Sequence, residues 1–207
     1  PMPTAVGLND APWCVVAPML RSGRVWDWVR GLRFDIDDPT ADEALENLAL
    51  QAAQKEDRLP VVFDTALGGE RAPHWDAAAS GALTGLVESH QIGDIALAAL
   101  EGMSRTLGDC IKLMEQRYES SHEKMLLVGG PAKNALWNWI TQQQTGKKTY
   151  ATTFSDASLL GAALLGYGAM YDGCETDELV AGRLKALSKL SAHHELVAPL
   201  PIKSPIA

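Results

Sequence analysis

Apolar positions along this chain change period several times, and each change marks an element. Trp13-Cys14-Val15-Val16-Ala17 is a short continuous apolar run of the kind buried strands show, stopped by Pro18. Past Ser22-Gly23, the residues Val25, Trp26, Trp28, Val29 and Leu32 recur at helical spacing. Residues 40–54 predict a second helix, with Thr40 as its N-cap and Ala44, Leu45, Leu48 and Ala52 on one face. Pro60-Val61-Val62-Phe63 and Ala82-Leu83-Thr84-Gly85-Leu86 read as strands on either side of a long polar loop. The strongest pattern runs from Ile92 to about Tyr118. There Ile92, Ile95, Ala96, Ala99, Met103, Leu107, Ile111 and Met114 form a stripe at steps of three and four.

Met125-Leu126-Leu127-Val128 is apolar throughout, which predicts a central strand buried on both faces. Gly129-Gly130-Pro131 then opens a helix expected to reach about residue 144, with Pro131 at its first position, where a missing N–H costs nothing. Lys147-Lys148-Thr149-Tyr150-Ala151 reads as an outer strand. Ser155 and Asp156 can cap a last core helix over residues 157–170, packed through Leu159, Leu160, Ala163, Leu164 and Tyr167. From Cys174 the pattern is weakly helical and ends in a Pro-rich segment from Pro199, expected to be peripheral. No internal repeat appears. This alternation predicts an α/β domain with a mixed or parallel sheet and helices on its faces. Ligands of such folds bind where the carboxyl ends of strands meet helix N-termini.

Composition narrows the function classes. A chain of 207 residues makes one domain or at most two small ones. With 46% hydrophobic and 21% charged residues it has the balance of a globular protein, not of a disordered one. Acidic residues outnumber basic ones 26 to 18, a net charge of −8, which disfavours nonspecific binding to nucleic acid or an anionic membrane. No run approaches the ~18 apolar residues of a membrane-spanning helix. Cys14, Cys110 and Cys174 are odd in number and scattered, fitting reduced thiols of a cytoplasmic protein better than a disulfide framework or a zinc site. The chain opens Pro1-Met2-Pro3, and the expectation is either a processed product or the C-terminal piece of a longer protein.

The most suggestive chemistry lies in Leu126-Leu127-Val128-Gly129-Gly130-Pro131-Ala132-Lys133-Asn134. Two glycines after a strand let a flat ligand or a phosphate approach the backbone, and the unpaired N–H groups of a helix start favour an anionic or polar group. A tight strand-to-helix turn without a ligand explains the same residues. It is not a Walker loop, because Gly-Lys-Ser/Thr is absent. Glu70-Arg71-Ala72-Pro73-His74-Trp75-Asp76 gathers four ionisable groups in one loop, where an Arg71–carboxylate pair ordering the loop over a buried Trp75 is expected ahead of catalysis. His74 is isolated, no metal-ligand spacing occurs, G-x-S-x-G is missing, and His193-His194-Glu195 is expected to be solvated. Trp26, Trp28, Trp137 and Trp139 form two i, i+2 pairs, so each pair splits between helix faces, one Trp core and the other over a site or interface.

Taken in order, these segments resemble the C-terminal domain of the FGGY carbohydrate kinases, a family that includes glycerol kinase, xylulokinase and gluconokinase. The resemblance runs from about Ala17 to about Gly173. It rests on Ser22-Gly23 with Trp28, the Gly69–Asp76 segment, Ser80-Gly81-Ala82-Leu83-Thr84-Gly85-Leu86, Ala99-Leu100-Glu101-Gly102, Gly129 to Asn134 with Trp137, and Ser158-Leu159-Leu160-Gly161-Ala162-Ala163. It implies an actin-like ATPase (ribonuclease H-like) domain over residues 1–173, its first strands expected upstream, with residues 174–207 as a peripheral tail. It further implies ATP and Mg2+ as cofactors, with the sugar held mainly by an N-terminal domain that precedes the matching region. Carried over by position, Gly130 and Asn134 resemble the adenosine contacts, Gly129 lets the backbone approach the adenine, and Gly23 and Asp27 resemble the other side of the nucleotide pocket. The Glu70–Asp76 loop resembles the signature loop most like xylulokinase and gluconokinase members, and is expected to act in structure or domain closure. Pro131, Arg24, Asp27 and Gln142-Gln143-Gln144 depart from the family pattern. No catalytic base and no metal ligand is expected in this chain, which alone should transfer no phosphate. A homodimer is among the expected assemblies. The alternative reading is a stand-alone, non-catalytic actin-like module that binds nucleotide or a partner.

Overall fold

The computed structural model describes residues 2–3, 13–14, 16–19, 22–35, 37–152, 158–159, 162 and 193–195. In chain order its elements are β1 (Met2–Pro3), β2 (Trp13–Cys14), α1 (Ser22–Gly31), α2 (Ala41–Ala53), β3 (Val62–Asp64), β4 (Ala82–Thr84) and α3 (Ile92–Tyr118). After these come β5 (Lys124–Leu127), a 3-10 turn (Gly130–Lys133), α4 (Ala135–Thr145), β6 (Lys148–Thr152) and β7 (His193–Glu195). They sort into two compact units, one with the four α-helices and the β3–β4 hairpin, the other with the remaining strands and the 3-10 turn.

In the helical unit, α3 is the shared wall: α1, α2, α4 and β3 all pack on it. That explains its burial. Five consecutive residues, Ala96 to Leu100, are buried, so the N-terminal half is covered all round instead of along the single stripe its periodicity predicts. Val25 and Val29 of α1, Leu45, Ala49 and Ala52 of α2, Phe63 of β3, and Leu136 and Ile140 of α4 complete the core. Small residues set the close approaches. A Cβ at Gly102 would lie 2.4 Å from the Phe63 carbonyl oxygen, and one at Gly93 2.5 Å from that of Leu48. β3 and β4 pair antiparallel, Val62 opposite Thr84 and Asp64 opposite Ala82.

Helix starts are secured by carboxylates. At α3, Asp94 accepts the Gln91 N–H at 2.9 Å and takes the Lys55 ammonium at 2.8 Å on both oxygens. Burial by itself would raise the Asp94 carboxyl, but Lys55 and the Gln91 amide outweigh it and hold it below its ordinary value. Thr40 does precede α2, yet its hydroxyl caps nothing there. It donates to Asp38 at 2.7 Å, and Asp38 also accepts the Thr40 N–H.

In the sheet unit the order is β5-β6-β7. β5 and β6 run parallel with Leu127 opposite Ala151, and β7 is antiparallel to β6 with Tyr150 opposite Glu195. The sheet is mixed, as expected, but two positions change. β6 lies between two strands instead of at an edge, and His193-His194-Glu195 forms a strand. β5 is not buried on both faces: its burial alternates, with Leu126 48% exposed and Val128 45% exposed just beyond it. Among the described residues β5 pairs only with β6, and a strand at the edge of a sheet has one flank uncovered. β1 and β2 pair antiparallel, Met2 opposite Cys14; of the apolar run expected as one strand, Trp13 and Cys14 are strand, Val16 and Ala17 are not, Val15 lies outside the described residues, and Val16 is exposed. Of the predicted last core helix, Ser158, Leu159 and Ala162 are helical, but Leu159 is 69% exposed and is no core residue. Its other packing residues lie outside the described ones.

Candidate functional site

Gly129 and Gly130 leave β5 for the 3-10 turn. Gly129 has φ +78°, a left-handed conformation that disfavours any side chain, and Ala132 donates back to its carbonyl at 3.3 Å. Around Gly130 no described atom lies within 4 Å of a Cβ position, and the same holds at Gly129 and Gly23. This separates them from Gly93 and Gly102, whose missing side chains are filled by neighbouring backbone. Among the described residues, then, neither a positive φ nor internal packing accounts for a glycine at position 130.

The helix predicted to begin at these glycines does not. Pro131 is the second residue of the 3-10 turn, and α4 starts afresh at Ala135 with Asn134 as N-cap in extended backbone, φ −91° and ψ 107°. Asn134 Oδ1 accepts the Trp137 N–H at 2.7 Å. Only the oxygen of that amide can accept, so the cap fixes the side chain's orientation and does not use its NH2.

Of the N-terminal amides of α4, those of Leu136 and Trp137 already have partners. The Leu136 N–H donates to Glu46 Oε1 at 3.4 Å, and the neighbouring Ala135 N–H also favours the charged form of that carboxylate. Glu46 is half-buried on α2. Burial pushes its carboxyl up, the two α4 amides pull against that, and the neighbouring Asp42 and Glu43 charges add to the rise. Nothing local in the sequence marks Glu46, because its partners lie 90 residues away.

Asp42 sits four residues before Glu46, on the same face of α2, and faces the other candidate helix. Its Oδ1 accepts Trp26 Nε1–H at 3.0 Å and Arg30 Nη1–H at 3.1 Å, while Arg30 Nη2 reaches Asp27 Oδ1 at 3.2 Å. One face of α2 thus ties the helix that bears Gly23 and Asp27 to the start of the helix capped by Asn134. Asp27 itself is largely exposed. Arg24, next to Gly23, lines a groove with Val25, Trp28, Thr65, Leu67 and Gly69, so it lies against the 65–69 loop. Trp28 also stacks at a tilt on Phe63, ring centroids 5.7 Å apart. The first tryptophan pair splits as expected, Trp26 partly buried against the core and Trp28 41% exposed over the groove, whereas Trp137 and Trp139 are both partly buried against the core.

The Glu70–Asp76 loop is ordered differently from the expectation. The pair in it is His74 Nδ1 with Glu70 Oε2 at 3.0 Å; Arg71 is exposed, and Trp75, at φ +58°, is 66% exposed instead of buried. Backbone bonds close the loop, from Glu70 N–H to the Asp76 carbonyl at 2.7 Å and from Ala72 N–H to Pro18 at 3.3 Å. The Ala72–Pro73 peptide is cis. Cys110 is buried, where desolvation raises its thiol above the ordinary value. Among the described residues no three His, Cys, Asp or Glu side chains gather as a metal site, and no helix is long and apolar enough to cross a membrane.

Comparison with known proteins fits this frame. An apulose kinase of Pectobacterium atrosepticum is 34% identical over 140 residues, 66% of this chain and 27% of that protein. A xylulose kinase of Escherichia coli is 30% identical over 154 residues, 74% and 30% of the two chains, and a gluconokinase of Bacillus subtilis 26% over 166, 77% and 32%. This chain therefore spans about a third of the length of such relatives. Among solved structures, gluconate kinase from Lactobacillus acidophilus superposes with a TM-score of 0.65 at 24% identity, covering 86% of this chain and 34% of that one. Plasmodium falciparum glycerol kinase with ADP gives 0.59 at 21%, covering 70% and 27%. These likenesses establish an actin-like ATPase fold. The C-terminal domain of the FGGY family of carbohydrate kinases matches residues 3–170, and the chain belongs to that family.

Proposed function

We propose that this chain is the nucleotide-binding C-terminal part of an ATP-dependent carbohydrate kinase, whose whole protein phosphorylates a hydroxyl of a sugar, polyol or aldonate. A xylulose- or gluconate-like substrate is favoured by the relatives' identities. The observation that carries the reading is the turn at Gly129 and Gly130, where no described atom lies within 4 Å of either Cβ position. A flat base can lie against the glycine backbone, and Asn134, at the start of α4, is proposed as a further nucleotide contact through its NH2. Gly23, with open space at its Cβ position, and Asp27, held by Arg30, are proposed as the second set of contacts. Mg2+ is proposed to arrive on the nucleotide's phosphates, since it keeps several waters and asks few ligands of a protein. The chemistry ATP supplies is its terminal phosphoryl group. This chain's residues bind and orient the nucleotide; the sugar and the catalytic base belong to the part of the protein preceding it.

The test is a calorimetric titration of this chain with ADP and Mg2+, beside Gly130→Arg. The expected result is saturable binding that Gly130→Arg abolishes while its circular dichroism is unchanged. Equal binding by both would move the nucleotide away from the turn, and no binding by the folded chain would favour a non-catalytic module. For the whole protein, ATP-dependent phosphorylation across a panel of ketoses, polyols and aldonates is expected to single out one substrate class.

A further inference from the structure

His90 stands in the turn between β4 and α3, and the two bonds of its ring admit one protonation state. Nδ1 takes the Val87 N–H at 2.9 Å, and an amide N–H only donates, so Nδ1 carries a lone pair. Nε2 lies 3.0 Å from the Leu59 carbonyl oxygen, which only accepts, so Nε2 carries the proton. The His90 backbone N–H returns to the Val87 carbonyl at 3.1 Å and closes the 87–90 turn. The ring thus fastens that turn to Leu59, 31 residues earlier, just before β3. Chain segments are close-packed here: a Cβ on Gly85, at φ +80°, would lie 2.7 Å from the Pro60 carbonyl oxygen.

The groove that His90 lines also holds Lys55, Asp57 and Arg58 from the segment after α2, and Asp94 from α3. Lys55 is engaged by Asp94 at 2.8 Å and Arg58 by Glu101 at 2.7 Å, while Asp57 and the adjacent Glu88 are exposed. The two cations offset the carboxylates they touch, which leaves the ring's own bonds to decide what a proton does. A proton from solvent can add only at the Nδ1 lone pair. The new N–H would then meet the Val87 N–H, donor against donor. The Leu59 bond would instead gain a charged donor and strengthen. One anchor breaks and the other holds.

We infer that His90 is an acid-sensitive latch. Neutral, it ties the 87–90 turn to the segment before β3; protonated, it keeps Leu59 and releases Val87. Leu86 and Val87, both about half exposed, are the apolar residues whose backbone this release loosens. The inference is independent of the nucleotide reading.

The test follows the His90 ring nitrogens and the Val87 amide by 15N NMR between about pH 8 and about pH 5, where imidazoles change charge. At the upper end the ring is expected as the Nε2–H tautomer. On acidification the Val87 amide signal should move along the His90 titration curve. Its hydrogen exchange, corrected for the intrinsic rate at each pH, should rise about three- to ten-fold, the worth of one hydrogen bond. The Leu100 amide, inside α3, should keep its protection. His90→Asn offers Val87 an oxygen acceptor that takes no proton in this range, so its Val87 amide should ignore pH. An Nδ1–H tautomer, a ring that stays neutral down to acid unfolding, or a Val87 amide unmoved while the ring titrates would each overturn the latch. So would the same Val87 response in His90→Asn. If that variant does not fold, the wild-type titration decides alone.

Discussion

At the scale of single residues, the glycines separate by what surrounds them. An Ala at Gly102 must push against the Phe63 carbonyl, 2.4 Å from its Cβ, and backbone cannot swing aside as a long side chain can. Gly102→Ala is therefore expected to cost about 2–4 kcal/mol in chemical denaturation. Gly130→Ala meets no atom of the described residues and should stay within about 0.5 kcal/mol of wild type while weakening ADP binding. Equal losses of stability in the two variants would refute the distinction. Two carboxylates give a second prediction, with opposite signs. The folded pKa of Asp94 is lowered, so its contribution is present above its ordinary value of 3.8 and disappears as pH falls through the lower folded value. The folded pKa of Glu46 is raised, so its contribution is full below 4.5 and is lost as pH rises through the higher folded value. In urea midpoints measured against pH, Asp94→Asn should flatten the acid-side fall, and Glu46→Gln should flatten the decline on the other side of 4.5.

At the scale of elements, the α4 cap lets structure and binding be pulled apart. Asn134→Ala removes the acceptor for the Trp137 amide and is expected to cost about 1 kcal/mol. Asn134→Ser keeps an acceptor at the cap and should recover most of that stability. Neither variant keeps the amide NH2, so both should lose ADP affinity together; a serine variant that binds ADP like wild type would show that the cap alone matters. Elements with long, regular patterns were legible in the sequence: α3 begins and ends where its stripe does, and α1 buries Val25 and Val29 as their spacing requires. Errors came where a local pattern answers to distant partners. The Met125–Val128 run is apolar enough for a central strand, but which flank of β5 is covered depends on strand order, which no local window contains. The glycines after it suggested one helix where there is a 3-10 turn and then a separately capped α4, because Asn134 competes for the helix start more effectively than Pro131 does.

At the scale of the molecule, the family could be read from the order of short motifs, each weak alone. Some of those motifs turn out to be packing devices. Glu101 pairs with Arg58 at 2.7 Å with both side chains largely buried, and Gly102 makes room for β3. Those segments explain why the family shares a fold; the open glycines and the Asn134 cap are where nucleotide chemistry is proposed. What the sequence hid was the face of α2, where Asp42 and Glu46 reach two different helices. The length and placement of α3 carry a further consequence for motion. Its 27 residues make a rod about 40 Å long, enclosed around Ala96 to Leu100, while Leu113 and Tyr118 near its end are about half exposed. Deuterium uptake should therefore be graded along one continuous helix. Amides near Leu100 would exchange only when the helical unit opens as a whole, and those past Leu113 through brief fraying that leaves the rest intact. A single helix would then report both kinds of opening in one experiment.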